Sequence, residues 1–325
     1  MQAYLVERVG GEFRKVERPR PAAGMNQVLV KIAASGVNPL DIKIRGGKAA
    51  HAKQPLPAVL GLDMAGTVEE VGPGVTRFRA GDEVYGAVGG VGGTQGTLAE
   101  LIAADADLLA HKPKNLSMRE AAALPLSTIT AWEGLVDRAQ VHAGQKVLIH
   151  GGAGGVGHIA VQIARSFGAE VFATVSADKK CIVEGFGALP IDYRAVRLEE
   201  YLAAHTGGKG FDIVYDTVGG ATLDASFGAV KQYTGRVLSS LGWGTHALSP
   251  LSFRGATYSG VFTLFPLITG ESRAHHGKIL AEAAALAEAD KLRPLLNKQR
   301  FAIAEIEAAY ALVEAGALGK VVVEV

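Results

Sequence analysis

The sequence predicts an α/β fold in which a doubly wound parallel sheet accompanies a β-rich domain. Three observations predict it. The first third of the chain reads as short strands broken by glycine turns. From Lys146 onward, apolar strands alternate with segments of helical periodicity. At 325 residues the chain is also long for a single hydrophobic core, so two domains are expected.

Taken in order, residues 3–6 and 13–16 flank Gly10-Gly11 as a hairpin. Further strands are expected at 28–32, 66–72, 83–85 and 97–102. Residues 86–96 form the one low-complexity patch; within it no helical pattern follows 89–96, which reads as a flexible loop. Residues 146–150 are an apolar strand. Beyond a glycine run, Val156, Ile159, Ala160, Ile163, Ala164 and Phe167 recur at helical spacing until Gly168 stops them. Strands at 171–175, 212–215 and 236–239 follow, and strand–helix–strand repetition implies right-handed parallel crossovers. An Ala-rich helix is expected over 278–289. The apolar tail 321–323 reads as a strand that returns to the first domain and makes it discontinuous.

The glycine run is Gly151-Gly152-Ala153-Gly154-Gly155-Val156-Gly157, in which Gly152, Gly154 and Gly157 match G-x-G-x-x-G. In a chain with 42 glycines the pattern alone says little, but its place between a strand and an amphipathic helix says much more. Gly152 permits the tight turn, Gly154 lets the backbone approach a pyrophosphate, and Gly157 allows close helix-to-strand packing. The helix N-terminus then offers N–H donors to the anion. The next strand ends at Thr174-Val175-Ser176, without the carboxylate that usually holds the ribose of NAD, and Lys179 and Lys180 follow. These features favour NADPH over NADH. Asp178 is the objection, since a small shift would bring it to the ribose.

Lys plus Arg number 33 and Asp plus Glu 32, a net charge of +1, so no concentrated basic face speaks for nucleic acid. The lone cysteine, Cys181, can build neither an internal disulfide nor a thiolate metal site. The first ten residues include Glu7 and Arg8 and lack an apolar signal core. No stretch nears the roughly 18 uninterrupted apolar residues of a membrane span. A reduced, soluble, cytoplasmic protein without a membrane partner is expected.

Three stretches, in this order and separation, resemble the medium-chain dehydrogenase/reductase superfamily over essentially the whole chain. They are Ser35-Gly36-Val37-Asn38-Pro39-Leu40-Asp41, then Gly61-Leu62-Asp63-Met64-Ala65-Gly66-Thr67-Val68-Glu69-Glu70-Val71-Gly72, then the glycine run. The resemblance implies a GroES-like catalytic domain from residues 1–122 and 263–325, and a Rossmann dinucleotide-binding domain from 123–262. Zinc-dependent alcohol dehydrogenases of the superfamily carry Cys where Asn38 stands and His where Leu62 stands. Neither residue here suits zinc, the structural-zinc cysteines are missing, and the nine histidines are scattered, so no metal is expected. The chain is thus similar to the zinc-independent quinone oxidoreductase branch with its enone and alkenal reductases, whose Asn-Pro-x-Asp hallmark is matched by Asn38-Pro39-Leu40-Asp41. That resemblance implies Thr130 beside the nicotinamide, Tyr193 near the adenosine phosphate and Lys320 as a basic residue near the cofactor. Asn38, Gly152, Gly154, Gly155, Val156, Gly157, Ser176, Lys180, Thr217, Leu241 and Gly242 complete the expected cofactor contacts. The family also implies a homodimer joined through Rossmann edge strands, with 257–262 as the candidate.

Hydride transfer to a carbonyl carbon builds up an alkoxide that zinc would normally hold. Without it, 1,4-addition is easier: hydride goes to the β-carbon of a quinone or α,β-unsaturated carbonyl and the charge spreads into an enolate. Such a site needs apposition, exclusion of water and a donor for the oxyanion. The catalytic candidates are Asn38, Asp41, Lys43 and Thr130. Asn38 would bond the substrate oxygen or, preferably, a cofactor ribose; a turn residue before Pro39 is the plainer alternative. Lys43 resembles the lysine of an Asn-Pro-x-Asp-x-Lys segment in enone and alkenal reductases and would polarise the carbonyl, unless it is an ordinary surface lysine. Asp41 would orient its neighbours. An enoyl-thioester reductase stays open as an alternative, as does a non-catalytic NADPH-binding relative of the crystallin-like or RNA-binding kind.

Overall fold

The computed structural model describes residues 1–325. Its strands are β1 (Gln2–Val6), β2 (Phe13–Glu17), β3 (Gln27–Gly36), β4 (Ala58–Val59), β5 (Asp63–Val71), β6 (Glu83–Ala87), β7 (Leu101–Asp105), β8 (Leu109–His111), β9 (Lys146–His150), β10 (Glu170–Val175), β11 (Leu189–Asp192), β12 (Ile213–Asp216), β13 (Arg236–Ser239), β14 (Thr257–Gly260), β15 (Phe301–Ala302) and β16 (Val322–Glu324). The fold is α/β, and the chain divides into two compact units, Met1–Ile129 with Thr263–Val325, and Thr130–Phe262. The first seam lies beyond residue 122 for two reasons. The helix Met118–Ala122 packs on β3 and β5, and the Leu126 N–H is bonded to Asp63 of the same unit.

In the first unit β1 pairs antiparallel with β2 and β4. A second sheet runs β15-β16-β3-β5-β6-β8, with β7 also against β3. Its apolar faces bury Val28, Val30, Ile32, Leu60, Leu62 and Met64. The C-terminal β16 lies antiparallel to β3, with Val322 opposite Gly36. That return brings Lys320, just before β16, to the end of β3.

Three sequence expectations change here. The strand expected at 97–102 is β7, displaced toward the C-terminus, because the preceding residues bond to two different segments: Thr97 N–H to the Gly61 carbonyl and Leu98 to Leu60, but Glu100 to Gln2. The glycine-rich 89–96 segment is not a flexible loop but a packed one. Its Gly96 N–H reaches the Val59 carbonyl, and a Cβ on Gly89 would lie 1.9 Å from the Gln95 carbonyl oxygen. Glycine is required there by close approach of backbone to backbone. The Ala-rich helix spans Arg273–Glu288, starting earlier than expected.

The second unit holds a six-stranded sheet, β11-β10-β9-β12-β13-β14, parallel throughout. The chain winds outward from β9 on one side, then returns to build the other side. This creates the strand-order reversal at which such sheets bind ligands. Leu148, Phe172, Phe211, Val214, Phe227 and Val237 form its core. β11 is hidden in the sequence because Pro190 interrupts it. At a sheet edge the missing N–H has no partner to lose. No helix is long and apolar enough to cross a membrane.

Candidate functional site

β9 ends at His150, on the carboxyl edge of the sheet where its order reverses. Gly151 has φ +72°, a left-handed backbone that a side chain resists. Its carbonyl accepts the Gly154 N–H at 2.8 Å and closes the turn. A Cβ on Gly157 would lie 2.1 Å from that same carbonyl oxygen, so only glycine lets the helix Gly157–Ser166 start this close to the strand. Gly154 and Gly155 are exposed, leaving backbone within reach of an anion at the helix N-terminus. The cradle fits the pyrophosphate of a dinucleotide. Behind it, burial pushes the His150 imidazole down to about 4, against the pull of Asp216, so it is neutral. Its Nδ1 lies 3.1 Å from the Thr174 hydroxyl oxygen, which also accepts the Gly151 N–H at 3.2 Å.

Asp216 escaped the sequence reading. It is fully buried at the end of β12. Its carboxylate accepts the N–H groups of Val218 at 3.0 Å and Gly219 at 2.9 Å, and the Ser239 hydroxyl at 2.7 Å. The Ser239 oxygen accepts the Leu241 N–H at 3.1 Å. One carboxylate therefore steadies both loops that carry Thr217, Leu241 and Gly242. The Thr217 hydroxyl donates to the His150 carbonyl at 2.6 Å. Thr130 is buried, and its carbonyl accepts the Tyr215 hydroxyl at 2.7 Å. The available signal for Asp216 was a carboxylate closing an apolar strand.

Ser176, buried, follows β10, and Val175 stands opposite Asp192 of β11. Ser176 and Tyr193 thus leave adjacent strand ends. Tyr193 is 54% exposed, and the Lys180 ammonium lies 3.8 Å from the Asp192 carboxylate.

A separate polar cluster occupies the first unit. Asn38 precedes the helix Pro39–Arg45, with proline in the first turn where its missing N–H is harmless. Asp41, third in that helix, accepts the Asn38 backbone N–H at 2.9 Å. The Asn38 side chain donates through Nδ2 to Asp63 at 2.9 Å and accepts the Lys320 ammonium on Oδ1. Lys320 Nζ also lies 3.6 Å from Asp63, whose other oxygen accepts the Leu126 N–H at 2.9 Å. A carboxylate can only accept and an ammonium can only donate, so together they fix which way the amide points. One Nδ2 hydrogen stays unspent. Exposure is 2% for Asn38, 0% for Asp41 and Asp63, and 5% for Lys320. Burial pushes Asp41 up to about 7, with Asp63 adding to the rise and the Asn38 N–H and Lys320 opposing it. Asp63 is raised by burial too, against Lys320, Asn38 and the Leu126 N–H. Asp63 is the second residue missed from sequence. Lys43 lies on the same helix but is exposed and takes no part in the cluster.

The donors at this point do not fit a zinc ion. Leu62 is apolar and fully buried, and the Asn38 oxygen is already taken by an ammonium, which would repel a dication. No group of three or more His, Cys, Asp or Glu side chains is placed to hold a metal.

Residues 24–114 match a family model described as the alcohol dehydrogenase GroES-like domain, and residues 186–323 match one described as zinc-binding dehydrogenase. The chain is 38% identical to the 2-methylene-furan-3-one reductase of Solanum lycopersicum, covering 92% of this chain and 71% of that one. It is 36% identical to the chloroplastic NADPH-dependent alkenal/one oxidoreductase of Arabidopsis thaliana, over 99% and 79%. Among solved structures, an alcohol dehydrogenase superfamily protein from Novosphingobium aromaticivorans is 56% identical with a TM-score of 0.98, covering 100% and 99%. The quinone oxidoreductase of Coxiella burnetii is 30% identical with a TM-score of 0.84, over 100% and 99%.

Proposed function

The chain belongs to the medium-chain dehydrogenase/reductase family, in its quinone oxidoreductase and enone reductase branch, and from that premise we propose an NADPH-dependent, metal-free reductase of enones or quinones. The observation that carries the reading is the turn at 151–157, set at the reversal of a parallel sheet and closed to any side chain at Gly157. Bound NADPH supplies a hydride. Gly152, Gly154, Gly155, Val156 and Gly157 hold its pyrophosphate, and Ser176, Lys180 and Tyr193 take the 2′-phosphate. Thr130, Thr217, Leu241 and Gly242 hold the nicotinamide half.

Asn38, with its amide fixed by Asp63 and Lys320, offers its unspent N–H to a cofactor ribose. Asp41 holds the backbone of Asn38 in place. Lys43, exposed and outside the buried cluster, supplies the charge that draws the substrate carbonyl oxygen and stabilises the enolate as hydride reaches the β-carbon. Water gives the proton to the α-carbon. The reading includes a reducing, cytoplasmic setting, which suits the exposed free Cys181. It also includes a homodimer through β14, which pairs on one side only, with β13. Small molecules are the only substrates in this reading, with no nucleic-acid or membrane partner.

Consumption of NADPH with a quinone and with an enone, measured before and after treatment with a zinc chelator, tests it. Turnover that survives the chelator is expected. Tight NADPH binding without turnover on any such acceptor would overturn the enzyme reading.

A further inference from the structure

We propose that Arg194 selects the 2′-phosphorylated cofactor and that Asp178 opposes it, so that NADPH and NADH are discriminated by a balance between one guanidinium and one carboxylate. The inference rests on the NADPH reading above and assigns the residues that decide it.

The register of β10 against β11 sets Val175 opposite Asp192, so the residues following each strand leave the sheet side by side. Five charged side chains gather around Ser176 and Tyr193: Asp178, Lys179, Lys180, Asp192 and Arg194. Asp192 is buried, accepts the Arg194 backbone N–H at 3.1 Å and has the Lys180 ammonium at 3.8 Å. Lys180 therefore meets a ligand with part of its charge already answered. The Arg194 side chain differs. Its guanidinium lies over the Tyr193 ring, 5.5 Å from the centroid, with the Asp178 carboxylate close enough to feel its charge but not in an ion pair with it. An aromatic face holds a guanidinium flat and leaves its N–H edge free, the geometry that grips a phosphate in two places. Lys179 and Arg194 both stay out of ion pairs, and of the two Arg194 has the aromatic ring to orient it.

Asp178 supplies the counterweight. The Ser176 hydroxyl chiefly, with Lys179 and Arg194 adding to it, holds its carboxylate below the usual carboxylate range. A carboxylate just past the second strand is the group that receives ribose hydroxyls in NAD-using sheets, and it repels a 2′-phosphate. A ribose with a free 2′-hydroxyl can use Asp178, whereas a phosphorylated one sets its charge against Asp178 and leans on Arg194.

Equilibrium titration of NADPH, NADH and 2′,5′-ADP into wild type, Arg194→Gln, Asp178→Asn and Lys180→Gln tests the assignment without any turnover. Loss of a doubly hydrogen-bonded, charge-assisted contact should weaken NADPH and 2′,5′-ADP about tenfold or more in Arg194→Gln, with NADH changed far less. Asp178→Asn should move the other way, strengthening NADPH and weakening NADH. If Arg194→Gln weakens both nucleotides equally, or neither, the selection role falls while the NADPH preference stands. If the wild type itself binds NADH as tightly as NADPH, the NADPH reading falls first.

Discussion

Lys320→Met removes the one ammonium from the buried cluster and tests whether that cluster is held by charge. Methionine keeps much of the side-chain length but leaves Asp63, at 0% exposure, without a counter-ion and Asn38 Oδ1 without its donor. Breaking one side of a buried ion pair costs about 3–5 kcal/mol, because the remaining charge stays desolvated. Asp63 can escape by taking up a proton, and each pH unit above its displaced pKa makes that escape dearer by about 1.4 kcal/mol. The loss should therefore be larger near pH 8 than near pH 5. Urea unfolding at both pH values measures it, with Asp63→Asn and the double variant closing a cycle. The amide introduced by Asp63→Asn can still accept the Leu126 N–H but turns its NH2 toward the Asn38 and Lys320 donors, so the cycle reads the charge pair together with that mismatch, with a coupling of about 1–3 kcal/mol. A loss below about 1 kcal/mol at both pH values, or an additive cycle, would refute the reasoning.

Three further outcomes follow from the same geometry. Burial raises Asp41 from 3.8 to about 7, so the folded state holds a proton that the unfolded state has released. The associated stability is fully present below the unfolded pKa and is lost as pH rises through the folded one. Asp41→Asn keeps an oxygen for the Asn38 N–H, so it should gain on wild type steadily between those two values; parallel urea stability profiles would count against this. Gly157→Ala places a methyl group 2.1 Å from the Gly151 carbonyl oxygen, and should cost about 2–4 kcal/mol with loss of NADPH binding, read by thermal melting and nucleotide titration. Asp216→Asn loses the charge that four donor contacts share, and should raise KM for NADPH about tenfold with the near-ultraviolet circular dichroism unchanged. An unchanged KM would remove its role in steadying the cofactor loops.

Local requirements were legible in the chain before folding. Four strands of the parallel sheet, β9, β10, β12 and β13, and the helix 157–166 announce themselves by pattern, because strand and helix preferences act within a few residues. The glycine turn was legible for the same reason: a left-handed φ at Gly151 and the contact at Gly157 arise inside seven consecutive positions. The helix start at Asn38-Pro39-Leu40-Asp41, a cap closed across three residues, was read from sequence only as a turn before proline with Asp41 orienting its neighbours.

Tertiary structure alone decided the partners of those local pieces. Asn38 meets Asp63 across 25 positions and Lys320 across 282, and only the antiparallel pairing of β16 with β3 brings the last together. β11 exists because an edge tolerates Pro190, and the 86–96 segment is packed because other backbone closes on it. The roles of Asp63 and Asp216 depend on burial, which no short window specifies, since removal from water is a property of everything that surrounds the group. Sequence by itself thus determined the central strands of the sheet, its phosphate turn and the helix that follows the turn. The folded chain decided which charges are buried together, because pairing between distant segments is set by strand register and core packing rather than by local preference.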